Sequence, residues 1–174
     1  MVACTAQAGD GGPYGLGQPA ADAVIRAWDI DVRADGAGLP QGHGNAARGE
    51  RIYAGKCAAC HGDRGRGKPM DRLVGDHASL AGPAPVKTVG SYWPFATTLF
   101  DYVRRAMPFN APRTLSDDEV YAVVAYVLHL NGILGADATL DAASLPLVTM
   151  PNRDGFVGDP RPDVHAGPCA ADCR

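Results

Sequence analysis

Cys57 and Cys60 are separated by two alanines and followed at once by His61. Two thiols at that spacing can add across both vinyl groups of a haem, and the adjoining imidazole can then ligate the iron from one face. Cys57-Ala58-Ala59-Cys60-His61 therefore points to one covalently attached haem c. Two other chemistries share part of the pattern. A redox dithiol has the same cysteine spacing but no use for the histidine. Half of a zinc site needs a second ligand pair at similar spacing. The other close pair, Cys169 and Cys173, has three residues between its members and no adjacent histidine.

The opposite face of the iron needs a ligand of its own. Candidates are Met70, Met107, Met150 and the histidines His43, His77, His129 and His165. A thioether is a weak ligand that the chain must hold in place. Met107 opens Met107-Pro108-Phe109-Asn110-Ala111-Pro112, a loop stiffened by two prolines, and is the favoured partner of His61. Met70 follows His61 so closely that the chain would have to run nearly extended around the haem edge. Met150, beside Pro151, ranks second; His129 sits inside a helix and reads as a helix residue. Tyr92 and Trp93 could donate hydrogen bonds to a haem propionate, although core packing is the commoner fate of such aromatics. The carbonyl of Pro69 is the candidate acceptor for the His61 ring nitrogen that does not face iron.

Helices must position these groups. Asn45 or Gly44 opens a helix over 46–57, in which Gly49 and Tyr53 share a face with Ile52 beside them. The Gly-rich run 62–67 must be loop. A second helix is expected from about Phe95 to Ala106, with Ala96, Leu99, Phe100 and Val103 at helical spacing. Ser116-Asp117-Asp118-Glu119 is a capping box that opens a third, ending near Asn131-Gly132, with Tyr126 placed to meet Gly49 and Tyr53. A short helix is expected over 19–28. Residues 35–42 form a turn-rich connector, and an arm of this length covers either the domain's own surface or a partner's. Proline-punctuated loop is expected beyond Gly135.

The 174 residues accommodate one domain with extensions, and 46% hydrophobic content suffices for a core. With 22 Gly and 14 Pro, long irregular segments must accompany the helices. The expected organisation is an N-terminal arm over 1–44, a haem domain over 45–134 and a C-terminal arm over 135–174. The net charge of −3 hides an asymmetry: residues 43–113 carry 11 Lys/Arg against 5 Asp/Glu, so a basic haem segment lies between acidic flanks. That segment could dock an acidic partner, with Arg64, Arg66, Lys68, Arg104 and Arg105 as contributors. No run interleaves bases with aromatics as a nucleic-acid surface would.

No apolar stretch is long enough for a transmembrane helix. Attachment of haem c takes place outside the cytoplasm in bacteria, so a periplasmic location with its signal removed is expected. Val2-Ala3-Cys4 resembles the end of a lipoprotein cleavage box, which makes Cys4 a candidate lipid anchor. In that oxidising compartment Cys169 and Cys173 are expected to pair, the alternatives being free thiols or a bridge from either to Cys4.

The order of these features resembles a class I cytochrome c over roughly Asn45 to Gly132: a helix with Gly49 and Tyr53, the Cys57–His61 motif with Gly62, Met107 before Pro108, and a capped last helix with Tyr126. The resemblance implies a mainly α, class I cytochrome c fold with long irregular N- and C-terminal arms. Four further stretches, residues 28–33, 89–94, 105–112 and 150–156, are similar to the haem subunits of the Sox-type sulfane dehydrogenases (SoxD) and related sulfite dehydrogenase cytochromes. That similarity implies a molybdenum-containing dehydrogenase subunit as electron donor, a further cytochrome as acceptor, and a role in oxidising a sulfur compound. A second class remains in view: a haem enzyme or sensor, peroxidase-like, whose iron binds a small ligand.

Overall fold

The computed structural model describes Tyr14 and residues 16–161. Cys4, His165, Cys169 and Cys173, with the anchor and disulfide expectations resting on them, lie outside the described residues. The chain divides into two units, Met1–Asp31 and Val32–Arg174. In the first, α1 spans Asp22–Trp28, starting later than the expected helix. Its Val24, Ile25 and Trp28 are exposed.

In the second unit, α2 (Ala46–Lys56), α5 (Ala96–Ala106) and α6 (Asp117–Leu130) carry the core, while α3 (Ala58–His61) and α4 (Val89–Tyr92) are single turns. The mainly helical architecture with a class I cytochrome c fold is as expected. Helix α6 is the axis, and every residue from Val120 to Leu128 on it is buried. A helix so apolar over consecutive positions must be covered on all sides. Helix α2 covers one side, and glycines permit the close approach: a Cβ on Gly49 would overlap the Ala122 carbonyl, and one on Gly44 the Ala122 backbone. The aromatic pair sits over the same crossing, with the Tyr53 and Tyr126 rings 5.4 Å apart and tilted by 57°. Helix α5 covers another side through Phe100, whose ring lies 4.4 Å from that of Tyr121.

Two features have no counterpart in the sequence reading. β1 (His43–Asn45) pairs antiparallel with β2 (Thr139–Asp141), matching Gly44 to Leu140, so residues beyond Gly135 are tied to the start of α2 rather than forming loop alone. Thr88 and Ser91 form a reciprocal capping box that opens α4. The connector before α2 lies on its own domain: Val32 N–H donates to Asp101 Oδ1 at 2.9 Å, Thr97 Oγ1 to the Ala34 carbonyl at 3.1 Å, and the Tyr121 hydroxyl to the Pro40 carbonyl at 2.9 Å. Of the two surfaces considered for this stretch, the domain's own is the one covered.

Both ends of α6 are closed. Ser116 accepts from Glu119 N–H while Glu119 Oε2 accepts from Ser116 N–H at 2.8 Å. At the other end Ile133 N–H reaches the Leu128 carbonyl and Gly132 N–H the His129 carbonyl, with Gly132 at φ 68°, a left-handed terminus that favours glycine. The Ser116 N–H, with Lys56 acting in the same direction, holds the Glu119 carboxyl below its ordinary range against the upward push of burial. A carboxylate depressed in the folded state contributes stability above its unfolded pKa, near 4.3, and loses that contribution as pH falls through the folded value. Glu119→Gln should therefore flatten the acid side of the stability curve below about pH 4 relative to wild type, as measured by urea denaturation across pH.

Candidate haem site

The motif stands at the junction of α2 and the single turn α3. Cys57 ends α2 with its N–H on the Tyr53 carbonyl at 2.9 Å, and the Cys60 and His61 N–H groups both return to the Cys57 carbonyl. Cys57 is half-buried, Cys60 is exposed, and the two sulfurs are not bonded to each other. Burial pushes the Cys57 thiol up to about 11, against the downward pull of Lys56. A redox dithiol works through a first cysteine whose pKa is lowered, so this environment does not suit that chemistry. Among the described residues no three His, Cys, Asp or Glu side chains gather as a metal cluster.

After His61 the chain folds back on the motif. Gly62 (φ 75°), Gly65 (φ 71°) and Gly67 (φ 90°) take left-handed conformations, and a Cβ on Gly62 would overlap the Gly67 carbonyl. Gly67 N–H donates to the His61 carbonyl at 2.7 Å and Met70 N–H to the Cys60 carbonyl at 2.8 Å. The Tyr53 hydroxyl donates to the Gly62 carbonyl at 3.1 Å, and burial raises that phenol to about 12, so it remains a donor throughout the physiological range. One short 3₁₀ turn, Asp63–Gly65, interrupts the expected loop.

This folding-back fixes the imidazole. His61 Nδ1–H donates to the Asp71 carbonyl at 2.9 Å, which leaves Nε2 as the nitrogen available to a metal. The acceptor is Asp71 rather than Pro69. Lys68 at φ 77° and the Lys68 N–H to Met70 carbonyl bond make a tight reversal there, and the carbonyl that reaches the ring comes two residues later.

Met107 is the C-cap of α5, half-buried and packed against the core, with its N–H on the Val103 carbonyl at 3.1 Å. Met150 is buried to 1% exposure among core side chains, whereas Met70 is 54% exposed. Tyr92 and Trp93 are half-buried. The Tyr92 ring meets Phe156 edge-on at 5.3 Å and Trp93 meets Tyr102 at 5.8 Å. His129 Nδ1 bonds to the Leu134 carbonyl at 3.1 Å, as a helix histidine would.

One residue that holds the site was not foreseen. Asn131 Nδ2 donates to the Leu73 carbonyl at 3.2 Å and the Val127 carbonyl at 2.9 Å, pinning the loop after Asp71 to the end of α6. Its oxygen is the one buried side-chain polar atom without a partner among the described residues. The sequence shows only an asparagine at a helix end, which is read as a cap.

The donor set fits a c-type haem: two unbridged thiols, an imidazole oriented through Nδ1, and a half-buried thioether on a separate loop. Fold and site together define a class I cytochrome c. Residues 44–127 match the family described as cytochrome c oxidase, cbb3-type, subunit III. The chain is similar to the crystal structure of the sulfane dehydrogenase SoxCD from Paracoccus pantotrophus, with a TM-score of 0.80 and 43% identity, over 92% of this chain and 82% of that one. It belongs to the SoxD-type cytochrome subunits of sulfane dehydrogenase. It is also similar to the thiosulfate dehydrogenases of Psychrobacter arcticus (29% identical over 97 residues, 56% of this chain) and Stutzerimonas stutzeri (32% over 90 residues, 51% of this chain). The chain spans only 29% and 28% of the length of those two proteins.

Proposed function

We propose that this chain is a periplasmic monohaem cytochrome c that serves as the electron-transfer subunit of a sulfur-compound dehydrogenase. It would take electrons from a molybdenum-containing subunit that oxidises a sulfane or sulfite substrate and pass them to another cytochrome. The observation that carries this reading is the 43% identity to SoxCD over 92% of the chain, which includes the segments flanking the haem domain as well as the domain itself. No described helix is long and apolar enough to cross a membrane.

The bound haem would supply one-electron chemistry between ferrous and ferric iron. Cys57 and Cys60 would hold it covalently, and His61 and Met107 would ligate its iron. The Asp71 carbonyl keeps the His61 ring in one orientation. The Tyr92 hydroxyl and Trp93 indole N–H would be the donors to a propionate. With His61 and Met107 both given to the iron, this chain would offer no coordination site to substrate. The substrate-converting chemistry then belongs to the partner.

Carbon monoxide added to the dithionite-reduced protein separates this reading from a peroxidase-like enzyme or sensor. Slow, incomplete binding is expected for iron closed by His61 and Met107. Rapid, complete binding would assign the chain to the ligand-binding class instead.

A further inference from the structure

Behind the His61 loop lies a groove of about 500 Å3 whose lining includes Asp71, the residue whose carbonyl receives the His61 imidazole N–H. Arg66, Lys68, Arg72 and Lys87 line it. Lys87 Nζ sits 4.8 Å over the Tyr92 ring. Between residues 64 and 87 the chain carries five Lys/Arg against the two carboxylates of Asp71 and Asp76. None of Arg66, Lys68, Arg72 and Lys87 has an ion pair with a carboxylate among the described residues. The cations next to Met107 differ: Arg104 pairs with Asp117 at 3.0 Å and Arg105 pairs with Asp101. The broad basic segment of the sequence thus resolves into a neutralised part on α5 and an unneutralised part at the His61 loop. At the groove, Met70 (54% exposed) and Val86 (36% exposed) supply apolar contact amid the charges.

We propose that this groove is the docking site for an acidic redox protein that takes the electron from this subunit. The inference rests on the electron-transfer reading and adds the surface and the charge of the acceptor. Exposed apolar side chains among unpaired like charges suit a transient encounter, because charge steers approach and fixes register while contributing little to lifetime. A partner seated there lies one hydrogen bond from the His61 imidazole, through the Asp71 carbonyl. The transfer moves one electron outward, makes and breaks no bond, and leaves the acceptor reduced and this subunit oxidised.

Two measurements on the holoprotein test this. Polyglutamate, a probe for an acidic protein surface, should bind wild type at low ionic strength by calorimetry. Arg66→Glu/Arg72→Glu should abolish that binding, while the control Arg26→Glu/Arg51→Glu, two exposed cations outside the groove, should retain it. Stopped-flow oxidation of the reduced protein by ferricyanide should slow about tenfold in the groove variant, and the difference should fade as ionic strength passes about 0.1 M. Oxidation by the cationic cobalt(III) tris(phenanthroline) should instead speed up. Equal loss of polyglutamate binding in groove and control variants, or ferricyanide rates unchanged in the groove variant, would overturn the proposal. Arg66→Gln/Arg72→Gln, at exposed positions, guards against misfolding of the charge-reversed protein and should show an intermediate effect. Polyglutamate binding needs no electron transfer, so a failed electron-transfer reading would show as rapid carbon monoxide binding without disturbing this result.

Discussion

Met107→Ala is expected to leave the haem attached through Cys57 and Cys60 while opening the sixth coordination position. Met107 terminates α5 and is followed by Pro108, so the chain, and not the weak thioether bond, sets where its sulfur lies. Alanine keeps that backbone but removes the ligand, and neither of the other two candidate methionines is placed to substitute without moving. Met150 is locked in the core at 1% exposure, and Met70 belongs to the loop whose backbone already bonds to Cys60. The potential should fall by on the order of 0.1 V, a fraction of the ~0.8 V that axial ligation spans. The reduced variant should also bind carbon monoxide rapidly. Axial-ligand spectra and carbon monoxide kinetics unchanged from wild type would remove Met107 from the site.

Gly49→Val is expected to cost the most stability of any single change on the α2–α6 contact. Even the first carbon of a side chain at this position would overlap the Ala122 carbonyl and crowd Tyr126 Cβ at 2.8 Å. Both are on α6, whose backbone cannot give way locally, so the helices would have to separate and the Tyr53–Tyr126 pair would open. Overpacking of this kind costs about 1–3 kcal/mol where side chains can yield, and more where backbone is struck. A loss of about 4 kcal/mol, read by chemical denaturation, is the expected scale for valine, with alanine somewhat lower. Because Tyr53 also holds the Gly62 carbonyl after the motif, haem incorporation should fall with stability. A fully stable Gly49→Val protein would mean that the crossing is looser than this packing allows.

What the sequence made legible was local or carried by side chains. The haem motif, the Ser116–Glu119 capping box and the Gly49, Tyr53 and Tyr126 contact follow from residue type and spacing, and the capping box and the contact have their structural counterparts. Pairing of His43–Asn45 with Thr139–Asp141 joins two three-residue strands nearly a hundred positions apart, too short for any alternation to show. From the sequence, the candidate acceptor for His61 is the carbonyl of Pro69. The actual carbonyl, that of Asp71, is a backbone group without a side-chain signature, and its position depends on the left-handed residues before it. The charge asymmetry was visible, but its division was not, since Arg104 and Arg105 are neutralised by Asp117 and Asp101 through contacts only the fold creates.

The central claim, that this chain relays electrons for a molybdenum enzyme, is tested most directly by metal analysis of the complex isolated through this chain from its native source. The account predicts molybdenum and covalently bound haem iron co-eluting in fixed proportion. Haem-bearing chain that elutes with no molybdenum, under conditions where added polyglutamate shows its folded surface to be intact, would contradict it.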